Sequence, residues 1–222
     1  IENTGRNQKE SGRAFGVDPS RLVLLHQNHG DHILSLKGET ALPPPPLEYD
    51  AIMTDKADLF LAIKTADCLP ILIVDQVRKV IAAIHAGREG TSLRITPKVL
   101  RTLGREFGCS REDLLIAMGP SIGVCCYEID QSVLHPELEP LSIPKGNGKW
   151  MVNLPGINQI QMMEEGIRRD QIFRIDLCTG CNTDLFFSHR RERQTGRQIS
   201  FIGRTAEETA PGKYGFSSPQ TT

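Results

Sequence analysis

Cysteine and histidine are the side chains that can grip a metal or pass a proton near neutral pH, and residues 61–87 carry one of each at the ends of two apolar runs. Pro70–Val74 and Val80–Ile84 flank the polar break Asp75-Gln76-Val77-Arg78, a pattern that predicts a β-hairpin. If Asp75 faces Arg78 across the turn, Cys68 lies opposite His85. Directly opposed residues of an antiparallel ladder share a face, with Cβ atoms roughly 4.5–5.5 Å apart. A thiolate and an imidazole so placed can share a metal ion or a proton. Cysteine and a single histidine beside an apolar run are also ordinary core or turn residues, and a one-residue bulge would point the two apart. Thr65-Ala66-Asp67 before the first run and Ala86-Gly87 after the second are small and polar, which suits a close approach of backbone and ligand.

Other chemistry-bearing residues fall in stretches that read as loops. His26, His29 and His32 stand within seven residues, directly after the strand candidate Leu22–Leu25, and make half of the six histidines. Cys178-Thr179-Gly180-Cys181 has the two-residue gap of a zinc half-site, but no second pair of that spacing follows to complete it. Gly119–Gly123 is a small-residue loop before the vicinal pair Cys125-Cys126, and it fits no phosphate-loop pattern. Phe186–Arg197 sets four arginines beside two phenylalanines. Such a run is commonly a solvated turn. Guanidinium forks equally suit phosphate or carboxylate, so Arg190, Arg191 and Arg197 are candidates for an anion site.

The elements that must position these residues alternate between strand and helix. Short apolar segments at 50–54 and 59–64 lead into the hairpin. Thr96-Pro97 reads as an N-cap followed by proline at the first helical position, with Val99, Leu100, Leu103 and Phe107 on one face and a close near Gly108; a start as early as Thr91, with Pro97 as a kink, is the alternative. Leu114–Met118 predicts a strand, 136–149 an irregular surface stretch, Gly156–Arg169 a helix, and Ile172–Ile175 and Ile199–Ile202 further strands. We expect an α+β fold: one domain over residues 1–203, a layered sandwich of mixed β-sheet with packed helices, followed by a polar tail, 204–222.

Composition excludes several function classes. The 222 residues are 39% hydrophobic and 24% charged, an ordinary globular balance. A net charge of −1 offers no basic field for nucleic acid or an anionic membrane surface. No apolar run approaches the ~20 residues of a membrane span. Six cysteines in a chain this long suggest reduced thiols and a cytoplasmic location rather than a disulfide scaffold.

Taken together, Gln27-Asn28-His29-Gly30, Thr65-Ala66-Asp67-Cys68-Leu69-Pro70, His85-Ala86-Gly87, Gly119–Glu128, Cys178-Thr179 and Phe186–Arg197 resemble, in order, the YfiH-type laccase-domain family. That family was long labelled multicopper polyphenol oxidase and is now described as zinc-binding purine nucleoside phosphorylases. The resemblance runs from about Asn7 to Gly203. It implies that His29, Cys68 and His85 bind one metal, Zn2+ or alternatively Cu, with Cys68 and His29 catalytic. It also implies phosphorolysis of adenosine, inosine, guanosine and methylthioadenosine with accompanying adenosine deamination, so that the partners are a purine nucleoside and phosphate. Arg190 and Arg197 would bind the phosphate, and Glu89 or Asp67 would shuttle a proton. Two departures stand out: Arg88-Glu89 replaces the usual Trp-Arg after His-Ala-Gly, and the family's opening strand is missing before the Asn-rich segment near Asn3. Rival expectations are a laccase-like copper oxidase, which six histidines supply poorly, and a metal-free hydrolase with Cys68 as nucleophile and His85 as base.

Overall fold

The structure is a computed structural model that describes residues 16–206. The expectations for the Asn-rich N-terminal segment, the missing opening strand and all but the first three residues of the polar tail lie outside the described residues.

A six-stranded mixed sheet forms the centre, in the order Ile172–Arg174, Leu114–Met118, Leu69–Asp75, Val80–Ala86, Ala51–Thr54, Ile33–Leu36. Its two outer pairs are parallel and its inner pairs antiparallel. All seven residues of Val80–Ala86 are buried, as a run with no polar alternation requires of a strand covered on both faces. On one face, Ile71, Ile73, Ala82 and Ile84 pack under the helix Ile95–Thr102 through Ile95, Val99 and Leu100. On the other, Ile81 and Ala83 meet Val23, Leu61 and Ile63 of a three-stranded sheet built from Leu22–Leu24, Phe60–Thr65 and Gln198–Gly203. The layers are therefore helix, sheet, sheet, the sandwich expected from the sequence.

The hairpin forms with a register different from the expected one. Asp75 pairs with Val80 rather than facing Arg78, so His85 lies opposite Pro70 instead of Cys68. Asp75 causes the shift: its Oδ1 accepts from the backbone N–H of Val77 (2.9 Å) and of Arg78 (2.8 Å), making a loop of four residues, 76–79. A slip of two residues keeps every side chain on its face, because the strand period is two. Cys68 and His85 consequently still face the same side, as diagonal neighbours.

Three local expectations are corrected. The first long helix begins at Ile95 after a left-handed Arg94, with Pro97 inside its first turn, and it runs on through a π-helical stretch, Leu103–Phe107, to Gly108 at φ +69°. Asn153 rather than a residue near Gly156 starts the next helix, Leu154–Glu164, its side chain accepting from Gly156 N–H. The 136–149 stretch is not irregular throughout: Ser142–Gly146 pairs with Lys149–Val152, which pairs in turn with Glu128–Asp130.

Candidate metal centre and its cavity

Side-chain parity decides where the site lies. Cys68 and His85 point to the sheet face shared by Leu72 and Ala83, toward the second sheet, at the end where the hairpin strands run out. That second sheet supplies the third member. Leu22–Leu24 runs parallel to Phe60–Thr65, and beyond it Gln27 continues the pairing with its side chain, donating to Lys64 C=O (2.7 Å) and accepting from Lys64 N–H (2.9 Å). This clamp directs the next residues back over the hairpin mouth. His29 there adopts φ +66°, a left-handed conformation that costs a non-glycine residue energy and needs local support.

Asp50, fully buried, gives that support. Its Oδ1 accepts from His29 N–H (3.0 Å) and its Oδ2 from Gly30 N–H (2.7 Å), while Oδ1 also bonds His85 Nδ1 (2.7 Å). One carboxylate thus fixes both the loop carrying His29 and the ring of His85. With Nδ1 engaged, His85 turns Nε2 toward the sulfur of Cys68. The sequence alone did not single out Asp50, whose only signal was a charged residue heading the short, mainly apolar strand Ala51–Thr54.

The ligand atoms of His29, Cys68 and His85 all lie within 4.8 Å of one another. Gly87 makes this possible: a Cβ there would sit 3.1 Å from Cys68 Sγ and 3.1 Å from His29 Cδ2. Burial pushes the Cys68 thiol up, but hydrogen bonds and charge from His29 and His85 outweigh it and bring the group down to about 6. Burial pushes His85 down, and Asp50 with Cys68 carries it up to about 9. A thiolate and two imidazoles backed by a carboxylate are a donor set suited to zinc, and three protein ligands leave a tetrahedral ion one position for water or substrate. His26 and His32 are outside the triad; His26 lines the cavity above it.

That cavity is about 690 Å³, within the range of small-molecule sites. The triad forms one end. Lys64, Arg88, Arg190 and Arg197 contribute cationic side chains to its walls, and Tyr127 lies beneath Arg190, whose guanidinium carbon is 5.6 Å from the ring centroid. Burial, and then the nearby Arg197, lowers the Lys64 ammonium. Burial pushes the Tyr127 phenol up to about 12, so it remains a donor at neutral pH. Of the arginines expected to hold an anion, Arg190 and Arg197 both line this cavity. Arg191 does not: its guanidinium bonds Gly180 C=O (2.7 Å) and Cys126 Sγ (3.3 Å), away from the cavity.

The two candidate proton shuttles separate clearly. Asp67 accepts from Thr179 Oγ1 (2.6 Å), Ser188 Oγ (2.8 Å) and Arg190 N–H (2.7 Å), so its carboxylate is committed to holding loops together. Glu89 reaches the cavity with a largely exposed carboxylate, 3.9 Å from Arg88. Both line the cavity, but of the pair only Glu89 has a carboxylate not already engaged by three donors.

Comparison with known proteins shows the family of the chain. The model of the family described as multi-copper polyphenol oxidoreductase laccase matches residues 2–205. Purine nucleoside phosphorylase YlmD of Geobacillus stearothermophilus is 36% identical over 168 residues, 72% of this chain and 61% of the relative. Human purine nucleoside phosphorylase LACC1 is 31% identical over 212 residues, 90% of this chain and 46% of the relative. The chain therefore spans less than two thirds of the length of either relative. The crystal structure of Bacillus licheniformis YfiH superposes with a TM-score of 0.81 at 32% identity, covering 90% of this chain and 80% of the other. On this evidence the chain belongs to the multi-copper polyphenol oxidoreductase laccase family.

Proposed function

We propose that the chain is a zinc-dependent purine nucleoside phosphorylase acting on adenosine, inosine, guanosine and methylthioadenosine, with adenosine deamination as a second activity. The observation that carries this reading is a thiolate and two imidazoles at one end of a cavity whose walls hold four cationic side chains. The names of relatives at 31–36% identity support the same class. His29, Cys68 and His85 would hold the zinc. When bound, the ion supplies a Lewis acid that polarises an oxygen or nitrogen of the substrate or a bound water.

The chain's own residues account for the rest of the reaction. Phosphorolysis forms a bond from a phosphate oxygen to the anomeric carbon of ribose and breaks the glycosidic bond, the purine leaving with the electron pair. Arg190 and Arg197 bind and orient the phosphate, since guanidinium groups neutralise its charge while leaving an oxygen free to attack. Tyr127, protonated at neutral pH, and Lys64 are donors on the same walls, placed to stabilise negative charge as it develops. Glu89 carries the proton exchanged with the base, the role that deamination also demands.

A second reading is favoured by one geometric fact. Cys68, His85 and Asp50 line up as nucleophile, base and orienting carboxylate, the set a metal-free thiol hydrolase needs. Chelation separates the two. Liberation of free base from inosine should require phosphate and zinc and release of ammonia from adenosine zinc alone, and Cys68→Ala should abolish turnover together with the ion held by His29 and His85. Activity that survives a strong chelator but not thiol alkylation would establish the hydrolase instead. The older copper-oxidase label finds no further imidazole site: among the described residues the only other metal-ligating group of three or more side chains consists of cysteines.

A further inference from the structure

A second cluster of metal-binding side chains lies outside the cavity, and the proposed reaction makes no use of it. Cys125 and Cys126 come from the loop after Leu114–Met118, and Cys178 and Cys181 from the loop after Ile172–Arg174. Their four sulfurs lie within 4.8 Å of one another, with Cys181 3.5 Å from Cys125 and 3.4 Å from Cys126. All four cysteines are free. A zinc–thiolate bond of about 2.3 Å places the sulfurs of a tetrahedron about 3.8 Å apart, close to this spacing. The Cys178–Cys181 pair thus finds its complement in a vicinal pair upstream, not in another two-residue gap downstream.

The surroundings are those of an ion held by sulfur. Backbone N–H of Gly123 donates to Cys178 Sγ at 3.2 Å, and the Arg191 guanidinium donates to Cys126 Sγ at 3.3 Å, which offsets the excess negative charge of four thiolates. Gly123 and Gly180 let the loops close on each other: a Cβ on the first would lie 3.2 Å from Cys178 Cβ, and on the second 3.1 Å from Cys126 Cβ. Ser121 and Cys178 form a parallel bridge beside the cluster, which ties the two loops together at the backbone. Sulfur-only donors exclude magnesium, calcium and manganese, and so tight a grouping admits one ion rather than an iron–sulfur cluster.

We infer that Cys125, Cys126, Cys178 and Cys181 form a second, closed metal site that binds one zinc ion as a structural clasp. The clasp joins the loop leading into Tyr127 to the loop preceding Ser188-His189-Arg190, and these two residues, Tyr127 and Arg190, are stacked partners on the cavity wall. With four protein ligands the ion has no open position and takes no part in chemistry. Its role is to hold that wall in place.

Metal counting on separate variants tests this independently of turnover. Protein reconstituted with zinc under reducing conditions and freed of loose metal should carry about two ions per chain as wild type, about one as Cys68→Ser, and about one as Cys125→Ser/Cys181→Ser. Cobalt loaded into Cys68→Ser should show the intense visible bands of a tetrahedral tetrathiolate complex, and these should vanish when Cys125→Ser/Cys181→Ser is added. Should the double serine variant fail to fold, Cys68→Ser alone decides the question. Zinc-free Cys68→Ser with four freely alkylated thiols would overturn the inference, as would disulfides among the four cysteines or iron as the ion retained.

Discussion

Asp50 is the residue whose removal should disclose how the metal centre is held. It carries no ligand atom, yet it accepts from His85 Nδ1 and from the backbone of His29 and Gly30. Burial opposes its charge, but the hydrogen bonds from His85 and Gly30 hold the carboxyl below its ordinary range. Asp50→Asn keeps the shape and removes the charge that orients His85, so zinc affinity should fall by about 10–100-fold, measured by competition with a chromogenic chelator. An unchanged affinity would deny Asp50 this role. Proton release gives a second test. Metal-free His85 is raised to about 9 from 6.5, so its stabilising contribution is complete below 6.5 and disappears as pH climbs through 9. Cys68 is lowered to about 6 from 9.0, so its contribution is complete above 9.0 and disappears as pH falls through 6. Between those limits the pair is thiolate and imidazolium. Zinc needs the imidazole neutral, so its binding to this centre, read in Cys125→Ser/Cys181→Ser to remove thiol protons of the four-cysteine cluster, should near pH 7.5 expel about one proton from His85, declining above pH 9, by calorimetry in buffers of different ionisation enthalpy. Release that is constant across that range would contradict the pairing. Gly87→Ala should disable the same centre by bulk, displacing the Cys68 sulfur or the His29 ring, and its metal content should drop with little loss of fold.

At the scale of elements, the hairpin shows why the site could be read before its register. Apolar runs and parity put Cys68 and His85 on one face, and parity survives an even slip; the turn chemistry of Asp75, which sets the register, needs side-chain hydrogen bonds that spacing does not display. The early helix start has a similar cause. Thr96-Pro97 looks like a helix entry, but Thr96 is buried and its hydroxyl bonds Asn158, so tertiary packing claimed the supposed cap. Asp67 went further from expectation, since its φ of +86° and its three donors from residues more than a hundred positions away are invisible in a local window. Those bonds join the hairpin entrance to the loops of Thr179 and Ser188. Asp67→Ala would leave two buried hydroxyls without their acceptor and should destabilise the protein by about 3–5 kcal/mol in denaturant unfolding. A loss below about 1 kcal/mol would show the loops to be held elsewhere.

Over the whole molecule, charge is nearly balanced, with 26 basic and 27 acidic residues, yet the cavity gathers Lys64, Arg88, Arg190 and Arg197 against Glu89 and an Asp67 already bonded three times. The layering explains the gathering. Two sheets share a core along most of their length, and only where the strands end can polar side chains stand without burying charge. Family motifs in the sequence pointed to this end of the sandwich. Lys64, by contrast, went unnoticed inside an apolar strand, because strand-end position is a property of pairing with Gln198–Gly203. A balanced net charge gives no long-range steering, so under the proposed function the attraction for phosphate would come from the cavity walls alone. Arg190→Ala and Arg197→Ala should each raise the KM for phosphate about tenfold or more while changing the KM for nucleoside far less, and sulfate should compete with phosphate in the wild type. Arg191→Ala, on the far side of the wall, should leave the phosphate KM closer to wild type than either. Equal effects on both substrates would mean that these arginines shape the cavity as a whole; a selective rise for phosphate would assign them to the attacking anion.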